Sequence, residues 1–348
     1  MTSRTLAHHE RFSSAPVFDS PIDDRRPGIL LIGGEQEDHA DWVKPSTERR
    51  YRLLSLASTG DSAQLRGEVT LAGVSTFHEN SVEQALSFAK AIGLPAGPLE
   101  TILRCRERQV AGSVPPAPAC QSAELRLLVV AVVHRGRLSP LFVARPEQES
   151  GAVTDSCYVV DAADPLLANR EITESLMDTH HGIGIEEGIT ATEFRIHGRQ
   201  ASYIEVRGLL GSDTLLRAGS LATGTDLALA WADLAVGTDP DLSPRRRTAA
   251  AVRFLYPQTD LVLEEIRLET AALPGGVWEV QLSAKPGMIV RAHGGKYAAT
   301  PLASAVAVGE DGAACRRALD LLPRALHVRG QPPPPHHSDE RTTRRTHA

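Results

Sequence analysis

The fold of this chain is decided by residues 188–213, which read GITATEFRIHGRQASYIEVRGLLGSD. Two runs of alternating apolar and polar residues flank a polar turn at 197–200, a pattern typical of a β-hairpin. Glu193 lies in the first run and Glu205 in the second. Residues of matching parity on neighbouring antiparallel strands face the same side. A register that pairs the two runs would therefore place both glutamates on one face of a sheet.

Two carboxylates that face each other repel unless a cation lies between them. Mg²⁺ prefers oxygen ligands and commonly shares them with substrate phosphates, so it is the natural candidate for a site at Glu193 and Glu205. The alternative is an ordinary surface hairpin that carries two unrelated acidic residues.

The hairpin also resembles a known family. Residues 191–194 (ATEF) and 204–213 (IEVRGLLGSD) are similar to the "H-x-E-F … I-E-x-N-x-R-x-G-G-D" segment of ATP-grasp carboxylate–amine ligases. The resemblance implies that Glu193 and Glu205 hold Mg²⁺–ATP. The chain departs from the family pattern at positions that matter for chemistry: Ala191 replaces the histidine, Arg207 the asparagine and Leu209 the arginine. Arg207 is the candidate catalytic residue, because it could take over anion handling from the missing arginine.

Two more landmarks follow the order of that family. Residues 93–118 resemble the exit from its N-terminal domain, with Cys105-Arg106 where the family has Asp-Lys, and residues 125–143 resemble the first hairpin of its second ATP-grasp lobe. Only a few residues separate Pro118 from Glu124, where the family carries a complete first lobe. The resemblance implies that the missing lobe would bring the phosphate-binding lysines, the loop over the phosphates and the adenine hinge. The chain has four lysines, at positions 44, 90, 285 and 296, so none can replace them.

These landmarks predict an α/β plus α+β protein. A loosely ordered arm (1–27) precedes a Rossmann-like pre-ATP-grasp domain (28–118), a single, second ATP-grasp lobe (119–246) and a small β-rich C-terminal domain (247–328), and a disordered tail (329–348) follows. Helical spacing predicts helices over 82–92, capped by Ser81, over 166–177, over 221–237 and over 313–322. Short strands are expected at 69–72, 249–255, 261–263, 277–282, 289–290 and 303–308. The hairpin at 125–143 is expected to leave a sheet edge or face uncovered.

Composition narrows the class of protein. The 348 residues are 42% hydrophobic and 23% charged, as in ordinary globular proteins, and the formal charge of −6 gives no electrostatic reason to expect nucleic acid. No apolar run is long enough for a membrane span or a signal peptide, so a cytoplasmic protein is expected. The four cysteines lack metal-binding spacing and are interpreted as inert thiols. The pair His180-His181 is interpreted as polar surface.

Three functions remain open. The chain is an ATP-dependent amino-acid ligase with atypical or partner-supplied ATP contacts, or a relative with impaired or lost catalysis that acts with a ligase or another biosynthetic partner, or a non-catalytic module that binds a small carboxylate or amine. The second is favoured, because the lost cations carry most of the stabilisation in phosphoryl transfer. Weak or absent binding of Mg²⁺ and ATP is therefore expected, as is a homodimer or heteromer.

Overall fold

The computed structural model describes residues 26–33, 42–56, 70–111, 125–147, 157–197, 200–292 and 300–334. Most of the predicted N-terminal arm, the end of the tail, Cys120 and the junction between Pro118 and Glu124 lie outside these residues. No helix in the described part of the chain is long and apolar enough to cross a membrane.

The first unit is a three-stranded parallel sheet with helices beside it. Its strands are β1 (Gly28–Ile32), β2 (Arg52–Leu56) and β3 (Leu71–Ser75), in the order β2-β1-β3. Its helices are α1 (Lys44–Thr47), α2 (Val82–Ala91) and α3 (Gly97–Ala111). Every residue of β1 is buried, as the unbroken apolar run predicts for a central parallel strand. Ser81 precedes α2, but its side chain makes no capping hydrogen bond, because a 3-10 turn at Glu79–Ser81 leads into the helix.

The second unit is built on one antiparallel sheet of eight strands. These are β4 (Leu125–His134), β5 (Arg137–Glu147), β6 (Cys157–Asp161), β7 (Gly188–His197), β8 (Gln200–Gly208), β9 (Ala249–Leu255), β11 (Val277–Leu282) and β13 (Ala303–Gly309), in the order β11-β13-β9-β6-β5-β4-β7-β8. Strands β10 (Leu261–Leu268), β12 (Ile289–Val290) and β14 (Leu326–Gln331) form a separate antiparallel sheet. The mixed α/β composition predicted from the sequence is confirmed.

Helices cover both faces of the large sheet: α4 (Arg170–Ile183), α5 (Thr214–Thr223), α6 (Leu227–Ala235) and α7 (Gly312–Leu321). The helix predicted over 166–177 begins later, because Asn169 caps α4 through hydrogen bonds to the amides of Glu171 and Ile172. The single helix predicted over 221–237 is the end of α5 followed by α6. Gly224 separates them in the left-handed conformation, with φ of 72°, which ends a helix without strain.

Strand pairing bears on three features of the predicted organisation, while the division into domains stays a prediction. Strand β9 pairs with β6, so the large sheet continues through the boundary expected at 246/247. Strand β14 reaches Gln331, so the tail expected from 329 begins inside a strand that is hydrogen-bonded to β10. Strand β4 pairs with β5 on one side and β7 on the other, so the hairpin at 125–143 presents no open edge.

One hydrophobic core joins the two units. It packs Ile29 and Tyr51 of the first unit with Leu128, Trp231 and Ala250 of the second. A contact at Gly73 shows how tight the junction is, since a methyl group there would lie 2.4 Å from the carbonyl oxygen of Ala235. The ends of β7 and β8 lie beside this junction.

Candidate functional site

The two glutamates of the hairpin lie directly opposite each other. The β7–β8 register pairs Glu193 with Glu205, and a bulge follows between Glu193 and Phe194. Their side chains therefore share one face, the one on which Ala191 joins the core with α5 and α6. The pairing predicted from the sequence is present, and the role of the pair as a metal site stays a prediction.

A third strand brings a guanidinium to the pair. In the pairing of β4 with β7, Leu128 lies opposite Glu193. Arg126 lies two residues before Leu128 and is therefore a diagonal neighbour of Glu193 on the same face. Arg126 Nε donates to Glu193 Oε1 at 2.7 Å, and its Nη2 reaches the same oxygen at 2.5 Å. The Glu193 side chain is only 12% exposed. A shielded carboxylate held by two charged hydrogen bonds is a strong ion pair, because little water competes for it.

The face of the sheet that carries Glu193 and Glu205 has more arginine residues than glutamates. Arg195 and Arg207 have the strand parity of Glu193 and Glu205, so three arginines accompany two acids. Arg207 Nη1 lies 3.7 Å from Asp213 Oδ2, which is a long contact between partly exposed side chains. Asp213 also accepts a hydrogen bond from the amide of Leu215 and so caps α5.

We tested the pair as a resident Mg²⁺ site against its surroundings. Arg126 already neutralises Glu193, and Glu205 makes no hydrogen bond or ion pair with another described residue. The described part of the chain contains no group of three or more His, Cys, Asp and Glu side chains that could hold a metal ion. Mg²⁺ completes its six oxygen ligands with water and substrate phosphates, so two free carboxylates could hold it, but this pair does not fit because Arg126 already occupies Glu193.

Beside the pair, a cavity of about 290 Å³ opens between the two units. One wall comes from the first unit and the other from the end of β8 and the segment after it. Its lining residues are Phe77, Glu79, Ile102, Cys105, Arg106, Gln109, Arg207, Gly208, Leu210, Ser212 and Asp213. A cleft between two units, with a few polar groups among apolar ones, is the usual form of a small-molecule site.

Two arginines from opposite walls give this cavity its polarity. Arg106 donates to the carbonyl oxygen of Glu79 at 2.8 Å and lies 3.5 Å from its carboxylate, while Arg207 has only the long contact to Asp213. Neither arginine is neutralised by a short ion pair among the described residues, so both can turn to an anionic ligand. Burial raises the pKa of Cys105 to about 12, so its thiol stays protonated and is not a nucleophile.

His180 is not a surface residue, which corrects the sequence interpretation. It is 3% exposed; its Nδ1 lies 2.7 Å from the carbonyl oxygen of Leu176 and its Nε2 2.8 Å from Thr190 Oγ1. A carbonyl oxygen only accepts, so Nδ1 carries the proton and Nε2 accepts from the threonine. Burial lowers the pKa of His180. His181, on the next position of α4, is exposed as predicted.

Arg126 is the site residue that sequence reasoning missed. Its signal is visible, since it is a charged residue in a strand that is otherwise almost wholly apolar, ELRLLVVAVV at 124–133. A charge in such a strand needs a partner. One sequence does not reveal which strand lies beside it, so the partner could not be identified.

Comparison with known proteins identifies solved structures that share this fold. No protein-family model matches the chain, and no curated protein matches it in sequence. The L-amino acid ligase from Bacillus licheniformis matches in structure with a TM-score of 0.65 and 14% identity, over 88% of this chain and 99% of that chain. Phosphoribosylglycinamide synthetase from Anaerococcus prevotii gives 0.60 and 11%, over 88% and 100%. The biotin carboxylase domain of a single-chain bacterial carboxylase gives 0.54 and 14%, over 88% and 90%.

The chain therefore shares the fold of these ligase, synthetase and carboxylase structures, which agrees with the fold that the hairpin motif implied. Identities of 11–14% carry the likeness no further than the fold. What the chain binds or catalyses rests on its own residues.

Proposed function

We propose that this chain is an ATP-grasp ligase-like protein in which ATP-dependent amide-bond formation is impaired or lost. The observation that carries the proposal is the ion pair between Arg126 and Glu193. The ancestral role of that glutamate, by resemblance, is to face Mg²⁺–ATP. A carboxylate that is already neutralised by a neighbouring strand has little charge left to offer a metal nucleotide.

The distribution of cations supports the same conclusion. Transfer of a phosphoryl group depends on positioned cations that stabilise the charge of the transition state. The sequence has no lysine between positions 91 and 284, and Leu209 stands where the family motif has arginine. Removal of one such electrostatic contact commonly costs on the order of 10²-fold in rate. Several missing contacts leave the carboxylates without the machinery that would use them.

The cavity favours a second candidate, a module that binds a small carboxylate or amine. It combines two arginines, four acceptor side chains and an apolar floor at Ile102 and Leu210. A ligand with both a carboxylate and an amino group matches this mixture, with its anionic end toward the arginines. Binding would then persist without chemistry.

A partner protein forms part of the proposal. The reason taken from the hairpin at 125–143 no longer holds, but β14 is an edge strand of the small sheet and five of its six residues are exposed. An exposed strand edge is a template for pairing with another chain. We therefore expect a homodimer or a heteromer in sedimentation at micromolar concentration. A single monomeric species, with no protein recovered in a pull-down, contradicts this part.

The test of activity uses the purified full chain with Mg²⁺–ATP and a panel of amino acids. We expect affinity no tighter than roughly millimolar in isothermal titration, equivalent to about 4 kcal/mol, and no ADP release above background. The few charge contacts that remain are screened by water, which keeps the affinity low.

The contrary result is equally specific. Steady ADP formation that needs an added amino acid and disappears in Glu193→Gln would show an active ligase with ATP contacts of another kind. Glu147→Gln is the matched control, because it removes a glutamate from the same sheet at β5. Amino-acid binding without ADP release would support the binding module.

A further inference from the structure

The guanidinium of Arg126 contacts Glu193, at the position where repulsion between Glu193 and Glu205 favours a cation. Glu193 and Glu205 are directly paired across β7 and β8, and like charges in that position destabilise a sheet. The sheet itself supplies the compensating charge from β4, through two contacts to a single oxygen of Glu193. All three side chains belong to paired strands, so their arrangement is set by strand register, although a bulge directly follows Glu193.

We propose that Arg126 is a built-in replacement for the divalent cation, which closes the Glu193–Glu205 pair to metal and makes this face metal-independent. The inference deepens the proposed function, since it gives the physical reason why the metal nucleotide is not held. A single side chain thus blocks a pair of glutamates that could otherwise bind a metal ion.

Arg126 and a metal ion would compete for the carboxylate of Glu193. A cation bound by both glutamates must approach Glu193 Oε1 or the second oxygen beside it, within the field of a guanidinium less than 3 Å away. That positive charge repels Mg²⁺ or Mn²⁺, and its two contacts also occupy the lone pairs of Glu193 Oε1. Glu205 alone offers one carboxylate, which does not hold a hard cation against water.

Arg126→Gln is the variant that tests the block, with Mn²⁺ as the probe. The substitution removes the charge and keeps a polar side chain, so the two carboxylates repel and gain by binding a cation. We expect Mn²⁺ affinity to increase on the order of 10-fold or more over wild type in paramagnetic titration. The double variant Arg126→Gln with Glu205→Gln should lose that gain.

A matched control separates this effect from a general loss of positive charge. Arg137→Gln removes the same charge from the exposed start of β5, which pairs with His134 at the far end of β4 from Arg126. It should bind Mn²⁺ as wild type does. Arg126→Lys keeps the charge and should remain closed to the metal. An equal gain in Arg137→Gln would show that the effect is not local and would overturn the proposal.

A measurement on the wild-type chain keeps the inference falsifiable if Arg126→Gln fails to fold. With glutamate labelled at the carboxyl carbon, the Glu193 signal, assigned by its loss in Glu193→Gln, should keep its width as Mn²⁺ is added. Selective broadening of that signal would place the metal on the pair and overturn the proposal. ADP formation would instead contradict the proposed function, so the two can fail separately.

Discussion

At the scale of single residues, two polar side chains that lie in largely apolar surroundings each have a specific partner. Arg126 meets Glu193 on a neighbouring strand, and His180 meets Thr190 between α4 and β7. Burying either polar group without its partner would cost several kcal/mol. These pairs therefore fix the register of β4 on β7 and the position of α4, as well as contributing stability.

His180 gives the fold a defined dependence on pH. Burial holds its pKa below the ordinary value of 6.5, so in acid the unfolded chain takes up this proton more readily than the folded chain. The stability due to neutral His180 is complete above pH 6.5 and is lost as pH falls toward the folded pKa. The loss has a slope of up to about 1.4 kcal/mol per pH unit. Urea unfolding at a series of pH values should show this slope in wild type and its loss in His180→Gln.

His181→Gln is the control for that experiment. The residue is adjacent in α4 but exposed, so its substitution should leave the pH slope unchanged. Parallel curves for wild type and His180→Gln between pH 6.5 and 5 would contradict the assignment of a buried neutral imidazole.

At the scale of elements, close helix–sheet contact depends on positions without a side chain. Gly219 lies in α5 where the helix crosses β5, and a methyl group there would be 2.1 Å from Phe142 Cε1. The ring is fully buried and has no room to move. Gly219→Ala should therefore destabilise the protein by about 1–3 kcal/mol, measured as a lower midpoint in thermal unfolding.

Gly182 in α4 provides the opposite case. A methyl group there has no neighbour within 4 Å, and the backbone is helical. Gly182→Ala should stabilise the protein by up to about 1 kcal/mol, because alanine loses less backbone entropy in a helix. If Gly219→Ala stabilised the protein as much as Gly182→Ala, helix propensity would outweigh the contact with Phe142 and the expected clash would be wrong.

The sequence predicted these elements unevenly. Strands at 249–255, 277–282 and 289–290 have the expected bounds, because glycine, proline and short polar turns interrupt the chain on either side. Helix α5 was not recognised, because seven of its ten residues are buried and it shows no clear polar face. Strand β14, with the polar sequence LHVRGQ, was assigned to the tail, since its place is decided by pairing with β10.

The local sequence pattern also predicted only part of the candidate site. Period-two alternation predicted that Glu193 and Glu205 share a face, and the β7–β8 register places them opposite each other. The contribution of Arg126 depends on β4 lying beside β7, a contact across more than sixty residues that local pattern does not encode. The cavity depends on the docking of the two units and was likewise not predictable from local pattern.

At the scale of the whole molecule, the junction between the two units is held by a buried carboxylate. Asp233 of α6 is 1% exposed; it accepts hydrogen bonds from Tyr51 Oη at 2.7 Å and from Arg50 Nη1 at 2.8 Å. Burial, followed by the hydrogen bond to Asp233, raises the pKa of Tyr51, so the phenol stays a donor at neutral pH. The first unit thus shares both its apolar core and a charged anchor with the second.

This sharing predicts that the chain unfolds as one cooperative unit, although its described residues form one parallel and two antiparallel sheets. Far-ultraviolet circular dichroism and the fluorescence of the three tryptophans, Trp231 in the shared core and Trp42 and Trp278 packed against it, should give coincident urea transitions. Tyr51→Phe removes one donor from a buried charge and should move both transitions together by about 1.5–3 kcal/mol. If Tyr51→Phe instead split the curve into two transitions, the first unit would have a core of its own and the cavity between the units would not be a fixed feature of the fold.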